Sequence, residues 1–287
     1  MKDMLLRILD TPAGELYDQQ IESYNKYMYQ EVLRFPELID KISELGINVD
    51  YLKRYQVYMQ WAIRKLEYSF VIDHLPKTGG LKILDVGSGA SIFPHILSRM
   101  GHKVDALDPE QNWLLANTEI GDLYNKFFSS DVEYKNNYVQ EIEQKYCYDA
   151  VISISVLEHL SKRKIKNTVK KMSSLIKQSG HLILTIDYSP RAKHYSKYIF
   201  VDRTVRKLLV LTKLASIPYL GFSYEDFLYY IYPYLNGRAN IDKLLAEDRN
   251  AISFEEFWRS HFFERCMYDD YRPYLSLGIS VRKQQQG

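Results

Sequence analysis

An acidic residue running straight into a glycine turn is a place where chemistry can be built, and this sequence has one at Asp85-Val86-Gly87-Ser88-Gly89. Glycine has no Cβ, so a ligand can approach the backbone N–H groups of such a turn closely. The helix that follows offers further free donors to an anion. A second carboxylate, Asp108, comes about twenty residues after the turn, the reach of one strand–helix–strand crossover. A carboxylate at that point can accept hydrogen bonds from both hydroxyls of a ribose; equally, Asp108 can open a turn before Pro109. A third group, His159, titrates near neutrality and can take a proton from a hydroxyl or an ammonium. It also reads as a structural histidine that pins its own loop. Asp187 and Tyr188 are further candidates for substrate contact, because both close an apolar run.

The turn suits a nucleotide-like ligand, and its details narrow the choice. A dinucleotide fingerprint needs a third glycine where Ile92 stands, and a phosphate-cradling P-loop needs Gly-Lys-Ser/Thr, which is absent. These groups must be positioned by the elements around them. Leu81 to Val86 is a short apolar run after Gly79-Gly80, the pattern of a buried parallel strand, and Ile92, Phe93, Ile96 and Leu97 follow at helical spacing. A second strand is expected over Lys103–Leu107 and a fourth over Tyr148–Ser155, leading to a helix from Ser155 with His159 on its first turn. The fifth is expected over Gly180–Asp187. The third falls on Val132–Tyr134 or on Tyr138-Val139. Strands alternating with helices imply a parallel sheet whose binding crevice lies at the strands' carboxyl ends.

Residues 1 to about 75 read as helices, broken at Asp10-Thr11-Pro12 and at Phe35-Pro36. Tyr55, Tyr58, Met59, Ile63, Leu66 and Phe70 share one helical face between Tyr51 and Ile72. After Asp187 the alternation stops, and the stretch from 190 to about 250 exceeds an ordinary crossover. Tyr274 to Val281 then reads as an edge-region strand. The 287 residues carry a net charge of only +2, so no global field argues for nucleic acid. The two cysteines, Cys147 and Cys266, have neither metal-ligand nor scaffold spacing, which fits a reducing cytoplasm and no metal. The stretch MKDMLLRILD reads as too short and too charged for a signal peptide, and Leu208–Phe222 is broken by Lys213 and Pro218, so neither a signal peptide nor a membrane span is expected.

The Asp85-x-Gly87-x-Gly89 turn, Asp108 after the second strand, the Tyr148-Asp149 strand start and the segment Val156-Leu157-Glu158-His159 together resemble a class I S-adenosylmethionine-dependent methyltransferase of the small-molecule branch. Ser91 stands where that family often has a third glycine. The resemblance covers about residues 80 to 188 and implies a doubly wound, mostly parallel, seven-stranded Rossmann-like α/β sheet. By resemblance, residues 1–78 form a helical lid and 79–189 the cofactor-binding core. Residues 190–250 would be a helical cap inserted after strand five, and 251–287 the rest of the core. S-adenosyl-L-methionine is then the cofactor. Asp85, Gly87, Ser88 and Gly89 would take its amino-acid end, Asp108 its ribose, and Gln140 (preferred to Glu141) its adenine, with Pro109 and Ser155 beside them. Tyr55, Tyr58 and Arg64 would belong to the lid, with Tyr55 and Tyr58 as candidate substrate contacts.

The expected activity is methyl transfer to an oxygen or nitrogen of a small metabolite, with a sugar or a secondary-metabolite intermediate as examples and His159 as catalytic base. An Asn/Asp/Ser-Pro-Pro-aromatic motif for base amino groups is missing, since Ser155-Val156-Leu157-Glu158 occupies its place, and no Pro-Cys nucleophile occurs. Two rivals stay open. Fourteen Lys and Arg between Lys162 and Lys213 face only Asp187 and Asp202, which would suit an RNA or nucleotide substrate if they are not simply a solvated face. The fold could also serve as a binding module without catalysis.

Overall fold

In a computed structural model the described residues are 21–60, 62–109, 115, 118–188, 229, 231, 233 and 275–283. Four helices come first: α1 (Glu22–Tyr27), α2 (Tyr29–Glu44), α3 (Asp50–Gln60) and α4 (Ala62–His74). They are followed by β1 (Lys82–Val86), α5 (Phe93–Arg99), β2 (Lys103–Leu107), α6 (Thr118–Phe128), β3 (Val132–Lys135) and β4 (Tyr148–Ile154). The described chain ends with α7 (Lys162–Leu175), β5 (Ile176–Tyr188) and β6 (Leu275–Arg282). The six strands lie in the order β3-β2-β1-β4-β5-β6; all neighbours are parallel except β5 and β6. The order reverses at β1/β4, and the carboxyl ends there point to one crevice. Six strands, not seven, are present among the described residues.

Alternation along the strands separates two apolar layers. Ile83 packs with α1–α6 on one face, and its neighbour Leu84 packs with α7 and β6 on the other. The first layer includes Tyr24, Phe35, Leu52, Val71 and Ile92, so the N-terminal helices are a packed layer of the core. Beneath them His95 is fully buried, bonded to Ser130 at 2.6 Å and to the Tyr134 hydroxyl, and burial lowers its pKa to about 3. On β2 the buried Asp105 accepts from the Tyr148 hydroxyl at 2.6 Å and from Lys135 Nζ at 3.0 Å, which satisfies a carboxylate inside the sheet.

Several expectations are corrected. Pro36 does not break a helix; it lies inside α2, where Phe35, Leu38, Ile39 and Ile42 are buried. Burial of that stripe outweighs the roughly 3 kcal/mol a mid-helix proline costs. The third strand is Val132–Lys135, and Tyr138-Val139 leads instead into a 3₁₀ turn, Val139–Glu141. Strand β5 begins at Ile176, absorbing the Ser179-Gly180 turn, with a shift of register between Tyr148 and Ala150 and Ser179 at φ +62°. Ser155 starts no α-helix: its φ is +48°, a short 3₁₀ turn spans Leu157–His159, and α7 begins only at Lys162. The expected break at Asp10-Thr11-Pro12, Cys266 and almost all of the expected cap lie outside the described residues.

Candidate functional site

The glycine bend after β1 is held by its neighbours. Gly87 N–H donates to Leu107 O at 2.7 Å, and Gly89 N–H donates to Asp108 Oδ2 at 3.1 Å. The two sequence signals are thus one object, with the carboxylate of Asp108 fastened to the turn. Gly87 and Gly89 have φ of +80° and +54°, the left-handed region that glycine enters freely. Both are also packed against. A Cβ on Gly87 would stand 2.4 Å from Val156 Cγ2, and one on Gly89 would stand 1.8 Å from the hydroxyl of Tyr55. Ser91, in place of a further glycine, has a task of its own. Its Oγ accepts from Phe93 N–H at 3.1 Å at the start of α5 and shares a hydrogen bond of 3.1 Å with Tyr68.

A cavity of about 880 Å³ opens above this bend. Among its walls are Asp85, Gly87, Ser88, Asp108, Pro109, Gln140, Ser155 and His159, together with Tyr55 and Tyr58 from α3. So eight of the nine residues expected for cofactor and catalysis share one cavity wall; the ninth, Gly89, lies under Tyr55. Gln140 donates to Thr168 Oγ1 at 3.0 Å, whereas Glu141 turns away to accept from Tyr138 N–H at 2.8 Å. Asp187 and Tyr188 fall at the end of β5, and their side chains lie outside what is described.

Charge is sorted within the cavity. Asp85 and Asp108 are 3% and 9% exposed. Burial first, and the Asp108 charge second, raise Asp85 to about 7. Arg54, Arg64 and Lys164 also line the cavity. His159 sits exposed at its edge on the 3₁₀ turn, and desolvation first, then the Arg64 cation, lower its pKa. At neutral pH the imidazole is therefore neutral and able to accept a proton. Burial above all raises the pKa of Tyr51 and Tyr55, which keeps both phenols protonated beside Asp108.

Two residues of α4 matter more than the sequence reading suggested. Glu67 is 1% exposed and pairs with Arg64; its other oxygen accepts from Ser155 Oγ at 2.6 Å. The signal was present. Glu67 stands four after Ile63 and three before Phe70, a lone acid on a face read as apolar.

Among the described residues no cluster could hold a metal ion, and no helix is long and apolar enough to cross a membrane. Residues 84–184 match the family model described as a methyltransferase domain. The chain is similar to a ubiquinone biosynthesis O-methyltransferase of Bradyrhizobium diazoefficiens, 25% identical over 56% of this chain and 70% of that protein. It is similar to a namesake from Rickettsia akari, 32% identical over 42% of this chain and 44% of that one. Of these two relatives' lengths it thus spans between 44% and 70%. A solved Burkholderia thailandensis 1,6-didemethyltoxoflavin-N1-methyltransferase shares 19% identity over 56% of this chain and 64% of that one, with a TM-score of 0.41. The bend and the two carboxylates lie inside the segment, residues 84–184, that matches the methyltransferase-domain model.

Proposed function

We propose that the protein moves the methyl group of S-adenosylmethionine to an oxygen, or failing that a nitrogen, of a small metabolite. One observation carries the reading: Asp85 and Asp108 stand on either side of a single glycine bend, in a cavity that also holds a cation and a neutral histidine. The fit to the cofactor is chemical. A volume of about 880 Å³ is of the size that takes a nucleoside-bearing ligand. Asp85, buried and raised to about 7, suits an ammonium. Asp108 suits the ribose diol, Arg64 a carboxylate, and Gln140 with Pro109 the adenine.

When bound, the sulfonium supplies an activated methyl group and a good leaving group. The protein's part is orientation, worth roughly 7–11 kcal/mol when reacting atoms are held in line, and proton removal. His159 takes the proton of the acceptor hydroxyl on a ring nitrogen, a step worth about 10²–10⁴ in rate. Oxygen is preferred as acceptor atom because the relatives are named O-methyltransferases; a sugar or a secondary-metabolite intermediate remains within this reading. Residues 1–78 as a lid, 190–250 as a cap and a seventh strand from the remaining chain belong to the same proposal, as does a cytoplasmic location. The RNA alternative draws on the exposed cations of α7, such as Arg163, Lys166 and Lys170. It predicts retention on RNA that falls steeply with salt.

Calorimetry with S-adenosylhomocysteine tests the core of the reading. Micromolar binding that Asp108→Asn weakens at least about tenfold supports it; no binding by the intact protein points to a module without catalysis. Turnover of the cofactor against fractionated metabolite pools then identifies the acceptor.

A further inference from the structure

We propose that Glu67 is a positioning residue for the transfer site: it fixes the guanidinium of Arg64 in the cavity wall and ties the helix carrying both to the end of β4. The inference rests on the methyl-transfer reading above and names a residue that reading does not use. The Glu67 side chain has no solvent exposure, and its two oxygens are divided between two partners. Oε2 accepts from Arg64 Nη1, one helical turn earlier on α4. Oε1 accepts from Ser155 Oγ at 2.6 Å, from the residue just past β4. Ser155 is itself constrained, with φ at +48° and its N–H donating to Thr185 O of β5 at 2.9 Å. The sheet therefore sets Ser155, Ser155 sets the carboxylate, and the carboxylate sets Arg64.

A carboxylate taken out of water costs several kcal/mol unless paired and hydrogen-bonded, and an apolar residue would close the same helix–sheet seam without that cost. Retaining the acid makes sense where its geometry is used. A guanidinium is a rigid planar fork, so fixing one Nη restricts the plane of the whole group. Arg64 lines the cavity with Gly87, Ser88 and His159, and its charge is felt by His159. The plane of Arg64 thus governs the hydrogen bonds it can offer the carboxylate of a bound ligand.

The test compares two probes that differ only at the amino-acid end, S-adenosylhomocysteine and 5′-methylthioadenosine, by calorimetry. Glu67→Gln is expected to weaken the first about tenfold and the second by less than about twofold, with Glu67→Asp recovering part of the loss. Ser155→Ala should act in the same direction by about threefold, and Glu67→Gln should add nothing in an Arg64→Ala background, since neighbours that act as a unit are not additive. Equal losses for both probes, additive losses, or no loss would overturn the proposal and leave Glu67 a packing residue. If Glu67→Gln does not fold, Ser155→Ala decides on the same criterion. Failure of the unaltered protein to bind S-adenosylhomocysteine is a different result, and it would remove the methyl-transfer reading itself.

Discussion

Asp85 shows how a single side chain can be costly and useful together. Burial beside Asp108 raises its pKa to about 7, well above the ordinary carboxylate value. A group whose folded pKa is raised contributes stability that is complete below its unfolded pKa and is lost as pH climbs through the folded value. Asp85 should therefore lower stability progressively between about pH 4 and pH 7. Asp85→Asn is expected to raise Tm at pH 7.5 by a few degrees and to leave it unchanged near pH 4, read by calorimetric scans. Ligand binding should run the other way. A cationic ligand favours the ionised acid, so affinity for S-adenosylhomocysteine is expected to rise from pH 6 to pH 7.5 and then level off. A pH-independent affinity would show that Asp85 does not face the cationic end. His159 is a separate matter: His159→Ala should cut turnover at least about tenfold while affinity for S-adenosylhomocysteine stays within about twofold. Undiminished turnover would rule out the imidazole as base.

At the scale of elements, α3 is coupled to the glycine bend by contact. The Tyr55 hydroxyl fills the place a Cβ on Gly89 would take, and its ring meets that of Tyr51 edge-on at 4.9 Å. Gly89→Ala must push Tyr55 aside and adopt a left-handed backbone, which costs about 1–3 kcal/mol for the strain alone. The expected outcome is lost amide protection over Asp50–Gln60 in hydrogen exchange, with α7 keeping its own. Protection unchanged across α3 would mean that the helix does not rest on the bend. Val156, just before the 3₁₀ turn that follows β4, makes a matching contact over Gly87. Both glycines are thus required by conformation and by space, an argument stronger than either reason alone.

For the whole molecule, the antiparallel strand β6 links the far end of the chain to the site. Gly278 pairs with Thr185 of β5 and lies against the ring of Phe70 on α4, which would stand 2.7 Å from an added Cβ. That same helix carries Arg64 and Glu67. A side chain at 278 must therefore push the Phe70 ring aside and press on α4, which carries it. Gly278→Val is expected to destabilise the fold by about 1–3 kcal/mol through overpacking and to weaken S-adenosylhomocysteine binding although residue 278 does not line the cavity. Unaltered affinity in a destabilised variant would uncouple the strand from the site.

The amino-acid sequence by itself determined the parallel strands, the bend and the acidic residue that follows the second strand. All are local patterns: an apolar run of β-branched residues, glycines that allow positive φ, a crossover of fixed length. It also suggested His159, because a histidine past a strand end must lie near the crevice. The tertiary structure decided what depends on partners distant in the chain. Pro36 sits inside a helix because packing of the residues around it outweighs a local cost. Ser155 leads into a 3₁₀ turn because its hydroxyl and backbone are claimed by Glu67 and Thr185. The importance of Glu67 was hidden for the same reason: the periodicity of a helix tells which face is buried, but not which buried group will meet a hydroxyl from the other side of the fold.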